Sequence, residues 1–312
     1  MKLIIQIPCY NEASNLAQTL AALPKQLPGI DTVEWLIIND GSTDNTVRVA
    51  KENGVDHVVS HPQNLGLARA FMTGITTCLD LGADIIVNTD ADNQYDASSI
   101  PDLIKPILNE EADMVLGYRP IDYIEHFSVV KKLFQKFGSL VVRLASNTQV
   151  IDAPSGFRAL SRETAMQTNV FSPYTYTLET IIQAGRNKLK IISVPVMVNP
   201  ELRPSRLIKN IPTYIYHSIL TILRVFTVYN PLKVFLAIGL VMFLVGLAFD
   251  IRWLILFFSD PNRARVPSLI LGLTLIIGSF FTIAIGIIGD LLSVNRRLLE
   301  EIRYLLLKNR LK

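Results

Sequence analysis

The chain holds few of the side chains from which metal cages and disulfide scaffolds are built. Of its 312 residues only two are cysteines and four are histidines. Cys9 and Cys78 each lie inside an apolar stretch, as buried free thiols do, and nothing in their spacing suggests a disulfide scaffold or a zinc site. His57, His61, His126 and His217 are scattered, so ordinary structural or surface roles are expected of them rather than catalysis. The apolar run after Lys2 is cut off by Pro8, Asn11 and Glu12, too early for a signal peptide. There is no G-x-G-x-x-G after the first strand-like run and no G-x-x-x-x-G-K-[ST] anywhere, so dinucleotide and P-loop readings lose their phosphate cradle. A nucleotidyltransferase, which carries a glycine-rich basic loop at that point, is disfavoured on the same ground. No nucleic-acid partner is expected.

What the chain does have in quantity is apolar residues: 50% of the total, with a mean hydropathy of +0.34. They are unevenly placed. Residues 1–200 carry 16 basic against 21 acidic side chains, and residues 201–312 carry 14 against 6. An acidic globular part followed by a basic, apolar part implies a soluble head on a membrane foot. Val234–Phe249 has no charge, and the run resumes after Asp250 and Arg252 as far as Phe258; Pro267–Gly289 adds 23 uncharged residues. A span takes ~20 mainly apolar residues, which gives two transmembrane helices at about 232–258 and 267–290.

Basic residues orient this hairpin. Arg203, Arg206, Lys209, Arg224 and Lys233 precede it, and Arg296, Arg297, Arg303, Lys308, Arg310 and Lys312 follow it, against Arg263 and Arg265 in the connecting loop. The imbalance places the head and both termini on the cytoplasmic side of the plasma membrane. Two amphipathic pieces flank the spans, at 211–231 and in the basic tail at 293–312. Both suit the headgroup plane of the membrane lipids; the tail equally suits a neighbouring copy of the chain in a homo-oligomer.

The first 120 residues alternate strand-sized and helix-sized segments. Strands are expected at Lys2–Ile7, Trp35–Ile38, His57–Ser60, Asp84–Asn88 and Asp113–Leu116, and helices at Ser14–Leu23, Thr46–Asn53, Leu67–Leu79 and Ile100–Leu108. Such alternation implies an α/β fold with a mostly parallel sheet covered on both faces. Ligands of open sheets of this kind bind beyond the carboxyl ends of the strands. The polar clusters fall there: Pro8 to Glu12, Asn39-Asp40-Gly41-Ser42, and Thr89-Asp90-Ala91-Asp92. Carboxylates at a strand end can hold Mg2+ or Mn2+ and leave positions for diphosphate oxygens.

Taken in order, Ile4 to Glu12, Ile38-Asn39-Asp40-Gly41-Ser42-Thr43-Asp44 and Asp90-Ala91-Asp92-Asn93-Gln94 resemble the motifs of family 2 glycosyltransferases with the GT-A fold, over about residues 1–210. Asp152-Ala153-Pro154-Ser155-Gly156-Phe157-Arg158 resembles the acceptor-side motif of the dolichol-phosphate-mannose-synthase-like branch. The resemblance implies a nucleotide-sugar donor, UDP- or GDP-linked, and a polyprenyl-phosphate lipid acceptor. It places Pro8, Tyr10 and Glu12 around the base, and Ile38 and Asp40 beside base and ribose. It sets Asp90 and Ala91 at ribose and diphosphate, with Asp92, Asp90 and Gln94 at the metal and sugar, and Arg119 at the phosphates. Two departures stand out: Asn39 replaces the first acid of Asp-Asp-Gly-Ser, and Asp92-Asn93-Gln94-Tyr95-Asp96 replaces the usual Asp-Leu-Gln-Asp/His-Pro.

The Gln-x-x-Arg-Trp motif of processive family members is absent around both tryptophans, Trp35 and Trp253, so a single transfer is expected. For the acceptor phosphate, the resemblance and the basic residues together offer Arg158, Arg206, Lys131 and Arg143. Lys131 and Arg143 fall on an expected amphipathic helix at 127–145, where attraction to anionic lipid is an equal alternative. A phosphate monoester is largely ionised near neutrality, with a second pKa of about 6. The acceptor then needs little from a general base, and Asp152 orients an arginine or the acceptor rather than removing a proton. Glu179 matches a family acid near the site. Other readings are a different membrane-lipid acceptor, or an inactive sugar-nucleotide-binding scaffold.

Overall fold

The computed structural model describes residues 1–119, 139, 142–143, 146, 148–170, 176–199, 227–259 and 266–311. Lys131 and Arg206, and most of the 127–145 and 211–231 segments, lie outside them.

Seven strands form one sheet: β1 (Lys2–Cys9), β2 (Thr32–Asn39), β3 (His57–Ser60), β4 (Ile85–Asn88), β5 (Met114–Tyr118), β6 (Arg158–Ser161) and β7 (Ile191–Pro195). Their order is β3-β2-β1-β4-β6-β5-β7, and β6 alone runs antiparallel to its neighbours. In β1 every residue from Leu3 to Cys9 is buried, the continuous apolar run of a strand covered on both faces. One face carries α1 (Leu16–Ala22), α2 (Thr46–Glu52) and α4 (Ile100–Leu108) over a core built on Leu3, Ile5, Ile7, Trp35 and Ile37.

The other face carries α3 (Leu67–Asp80), with Ala68, Phe71, Ile75, Cys78 and Leu79 buried at helical spacing. Gly74 lets this helix close on the sheet, since a β-carbon there would stand 2.2 Å from Gln6 Oε1 and 2.7 Å from Ile38 Cδ1. The short α5 (Arg162–Gln167) and α6 (Thr177–Arg186) follow β6.

Beyond the head come α7 (Pro231–Ser259) and α8 (Val266–Arg310), 29 and 45 residues long, or roughly 44 and 68 Å at 1.5 Å per residue. Both are long and apolar enough to cross a membrane. Leu240, Val241, Leu244, Ile255, Ile277, Phe280 and Phe281 are among their exposed apolar side chains, whereas a core helix of a soluble protein would bury them. Small residues line the buried stripe: Gly239 and Gly246 on α7, and Gly272, Ser279 and Gly286 on α8. A β-carbon on Gly246 would lie 2.8 Å from the Gly272 carbonyl oxygen, the close backbone approach by which spans pack without a hydrophobic driving force.

The chain divides into two compact units, 1–218 with 301–312, and 219–300. The last residues thus count with the head, where the sequence suggested a separate tail from 293. No glycine or proline interrupts α8 after Gly289, so the helix runs on to Arg310. Its end carries hydrogen bonds to the head: Arg303 Nη1 donates to the Thr168 carbonyl at 2.7 Å, Tyr304 donates to Glu163, and Arg310 pairs with Asp80.

Candidate active site

The three polar clusters meet at the carboxyl ends of β1, β2 and β4, adjacent strands in the sheet. The loops after β1 and β2 are stitched together. Asn11, at φ 55°, accepts from Thr43 N at 2.8 Å through Oδ1, and its own N–H donates to Ser42 Oγ at 2.9 Å. Glu12 N donates to Thr46 Oγ1 at 2.9 Å. Gly41 is needed for two reasons: its φ is +71°, and a β-carbon would stand 2.4 Å from the Gln63 backbone. Tyr10 is 42% exposed at this edge, while Pro8 and Glu12 are buried.

Asp40 is only 3% exposed and is firmly held. Its Oδ1 faces His61 Nδ1 at 2.7 Å and accepts from Leu65 N at 2.9 Å, and its Oδ2 accepts from Gly66 N at 2.9 Å. His61 Nε2 in turn meets Thr73 Oγ1 of α3 at 3.0 Å. Sequence reasoning missed His61; four isolated histidines give no signal until β3 sets one beside Asp40. The Ile38 side chain is fully buried and turned under α3 beside Gly74, so a ligand at this edge would meet Ile38 through its backbone. Ala91 is likewise buried, and its carbonyl accepts from Thr19 Oγ1 at 2.9 Å.

Asp90 and Asp92 follow β4. Asp92 Oδ1 accepts from Gln94 N at 3.1 Å, and Asp92 and Gln94 are both partly exposed. Burial, and then the Asp92 carboxylate beside it, push the Asp90 carboxyl up from 3.8 to about 7. The Arg119 and Arg158 guanidinium charges oppose that rise without cancelling it, and a divalent cation would add positive charge beside the pair. Among the described residues no group of three or more His, Cys, Asp or Glu side chains forms a cage. A hard ion held by Asp90 and Asp92 would be completed by diphosphate and water oxygens.

Beneath the acids lies a buried polar network. Asn88 accepts from Gln6 Nε2 at 2.9 Å and donates through Nδ2 to the Gly156 carbonyl at 2.8 Å and to Tyr176 Oη at 2.9 Å. The antiparallel pairing of Asn88 with Arg158, carried two residues further, sets Asp90 opposite Gly156. A β-carbon on Gly156 would stand 2.9 Å from both Asp90 Oδ2 and Tyr176 Oη. Tyr95, the departure from the family pattern, turns inward: its hydroxyl accepts from Gly156 N at 3.2 Å and its ring stacks on Phe157.

Arg119, just past β5, is bound bidentately by Asp152, with Nε to Oδ2 at 2.9 Å and Nη2 to Oδ1 at 3.2 Å. Asp152 is buried and the Arg119 side chain is 12% exposed, so the carboxylate serves to aim the guanidinium. Arg158 corrects its expectation. It is fully buried, and its guanidinium donates to the Thr177 carbonyl at 3.3 Å, to Thr180 Oγ1 and to the Ser155 carbonyl. It braces the loop under Asp90 from within the core and does not face an acceptor. Arg143 is helical and exposed. Glu179 is buried in the first turn of α6.

Comparison with known proteins gives the family and the fold. The model of "Glycosyl transferase family 2" matches residues 4–167. A UDP-N-acetylglucosamine–dolichyl-phosphate N-acetylglucosaminyltransferase of Methanococcus voltae is 31% identical over 215 residues, covering 61% of this chain and 82% of that protein. An undecaprenyl-phosphate mannosyltransferase of Micrococcus luteus is 27% identical over 219 residues, covering 66% and 88%. In structure the chain is similar to glucosyl-3-phosphoglycerate synthase of Mycobacterium tuberculosis, solved with Mn2+, UDP and glucosyl-3-phosphoglycerate. That likeness has a TM-score of 0.54 at 20% identity, covers 72% of this chain and 78% of that one, and shows the GT-A fold. With the family model matching more than half of its length, the chain belongs to glycosyl transferase family 2 and is a glycosyltransferase.

Proposed function

We propose that the protein transfers one sugar, with inversion, from a nucleotide-sugar to a polyprenyl phosphate at the cytoplasmic face of the plasma membrane. The observation that carries the reading is the Arg119 guanidinium, aimed by buried Asp152 beside an acidic pair at the sheet's ligand-binding edge. Relatives named for dolichyl- and undecaprenyl-phosphate acceptors support it, as do two helices able to anchor the head where such lipids reside.

In this reading the nucleoside lies over the ends of β1 and β2. Tyr10 offers its face to the base, and Asp40 accepts from a base N–H. Arg119 takes diphosphate charge through a planar fork suited to phosphate oxygens. Asp90 and Asp92, with Gln94 adjoining, would hold Mg2+ or Mn2+. The ion would neutralise charge on the departing diphosphate. The acceptor phosphate is its own nucleophile, so the enzyme works by positioning and charge neutralisation. Exposed Arg143, with Lys131 and Arg206, is the candidate for drawing that phosphate in. In the same reading the head comprises about residues 1–210, and the excess of basic residues flanking the spans supports cytosolic termini.

The test is incubation of membranes holding the protein with a panel of labelled UDP- and GDP-sugars and undecaprenyl phosphate. Labelled, chloroform-extractable product that depends on a divalent cation is expected. Donor binding without transfer to this lipid would overturn the acceptor assignment.

A further inference from the structure

We infer that His61 is a positioning residue that sets base selectivity by filling one oxygen of Asp40, and that the base admitted is uracil. The inference rests on the donor-site reading of Asp40 given above.

A carboxylate accepts at about four positions, two on each oxygen. Asp40 Oδ1 takes the His61 ring nitrogen at 2.7 Å and the Leu65 N–H at 2.9 Å, which fills it. Oδ2 takes the Gly66 N–H at 2.9 Å and keeps one acceptor position. The side chain is nearly buried, so water does little to compensate a donor that finds no acceptor.

The pairing edge of uracil carries a single N–H, between two carbonyls. Guanine presents two adjacent donors, N1–H and the N2 amino group, a pair that suits a carboxylate through both oxygens at once. One open acceptor position satisfies uracil. For guanine it leaves a second donor against an oxygen already occupied, and a buried unpaired donor weakens binding by about tenfold or more.

His61 cannot swing aside to release Oδ1. Its side chain is 9% exposed, and Nε2 is held by Thr73 Oγ1 at 3.0 Å. Thr73 stands on α3, which Gly74 presses against Gln6 and Ile38. Nδ1 faces a carboxylate oxygen and so carries the ring proton, and the Thr73 hydroxyl can serve Nε2 as donor. His61 itself touches no ligand; it acts by what it takes from Asp40.

The experiment is calorimetric titration of full-length protein in detergent with UDP and with GDP, Mn2+ present throughout. It compares wild type, His61→Asn, His61→Ala and Thr73→Val, with thermal unfolding and kcat of each. Wild type is expected to favour UDP by about tenfold or more. His61→Asn keeps an N–H at the Nδ1 position and should retain that preference. His61→Ala opens Oδ1 and should narrow it severalfold through tighter GDP binding. Should His61→Ala fail to fold, Thr73→Val reads the same narrowing, because it unties the ring from α3.

Preference for GDP in wild type, or equal weakening of both nucleotides in the variants, would overturn the inference. Binding of neither nucleotide by wild type would remove the donor-site reading and this inference with it. Tight UDP binding without transfer to undecaprenyl phosphate would sink the acceptor assignment alone and leave the inference standing.

Discussion

Asp152 grips Arg119 through both carboxylate oxygens, at 2.9 and 3.2 Å, from a fully buried position in the loop that precedes β6. The pair joins segments 33 residues apart and fixes a guanidinium on a side chain that is 12% exposed. Asp152→Asn keeps the shape but loses one acceptor of the fork. A fall in kcat of roughly 100-fold, the scale for a misplaced charge-stabilising donor, is expected with little change in nucleotide affinity. Steady-state kinetics beside UDP titration would check it; unchanged kcat would reduce the pair to a structural salt bridge.

The acidic pair makes a second prediction. Asp92→Asn removes a carboxylate that is partly exposed and whose one hydrogen bond within the described residues, from Gln94 N, an amide oxygen can still accept. Turnover should vanish while the unfolding midpoint stays near that of wild type. Near-normal turnover in a folded variant would end the assignment of Asp92 as first metal ligand.

Asp90 links the same site to pH. Its carboxyl is raised in the folded protein from 3.8 to about 7, so between those values the native state holds a proton that the unfolded chain has released. Stability contributed by that proton is full below the lower value and is lost as pH rises through the upper one. The metal-free protein should therefore become less heat-stable from about pH 5 to pH 8. Mn2+ should restore more at the alkaline end, where the ionised pair can bind it. Asp90→Asn should flatten the metal-free slope; an unaltered slope in that variant would assign the effect to another group.

Much of this site was legible in the sequence because its signals are local. Each polar cluster directly follows an apolar run of strand length, and the ends of β1, β2 and β4 fall where the alternation puts them. The underside was not legible. Gly156 meets Asp90 only because β6 inserts antiparallel between β4 and β5, a pairing across about seventy residues that no periodicity announces. Arg158 misled for the same reason: a basic residue in an acceptor-side motif suggests a phosphate contact, until the strand register points it at Thr177 and Thr180 inside the core. Tyr95 read only as a departure from the family pattern; its place under the Gly156 loop, where its hydroxyl accepts from Gly156 N, depends on that same long-range pairing.

Gly156 offers a sharp test of that underside. A methyl group there would press within 2.9 Å of Asp90 Oδ2 and Tyr176 Oη, and Tyr176 cannot yield because it is stacked on Phe71 at 3.9 Å. Gly156→Ala should displace the Asp90 carboxylate and weaken Mn2+-dependent UDP binding well beyond its cost in stability, which overpacking puts at about 1–3 kcal/mol. Metal-dependent nucleotide affinity equal to wild type would show that the loop leaves Asp90 where it stands.

Arg158 separates bracing from acceptor binding. Its guanidinium donates to two backbone carbonyls and a threonine hydroxyl with no solvent exposure, so Arg158→Met trades those bonds for an apolar stem of similar reach. The Thr177 and Ser155 carbonyls then lose their donor, at about 1–3 kcal/mol for each buried group left unsatisfied. The expected result is a lower unfolding midpoint with the KM for lipid phosphate close to wild type in whatever fraction folds. By contrast Arg143→Ala, on an exposed helical position, should raise that KM and leave the midpoint unchanged. If instead Arg158→Met folded normally and raised the acceptor KM, the core placement of Arg158 would have to give way to a phosphate-binding one.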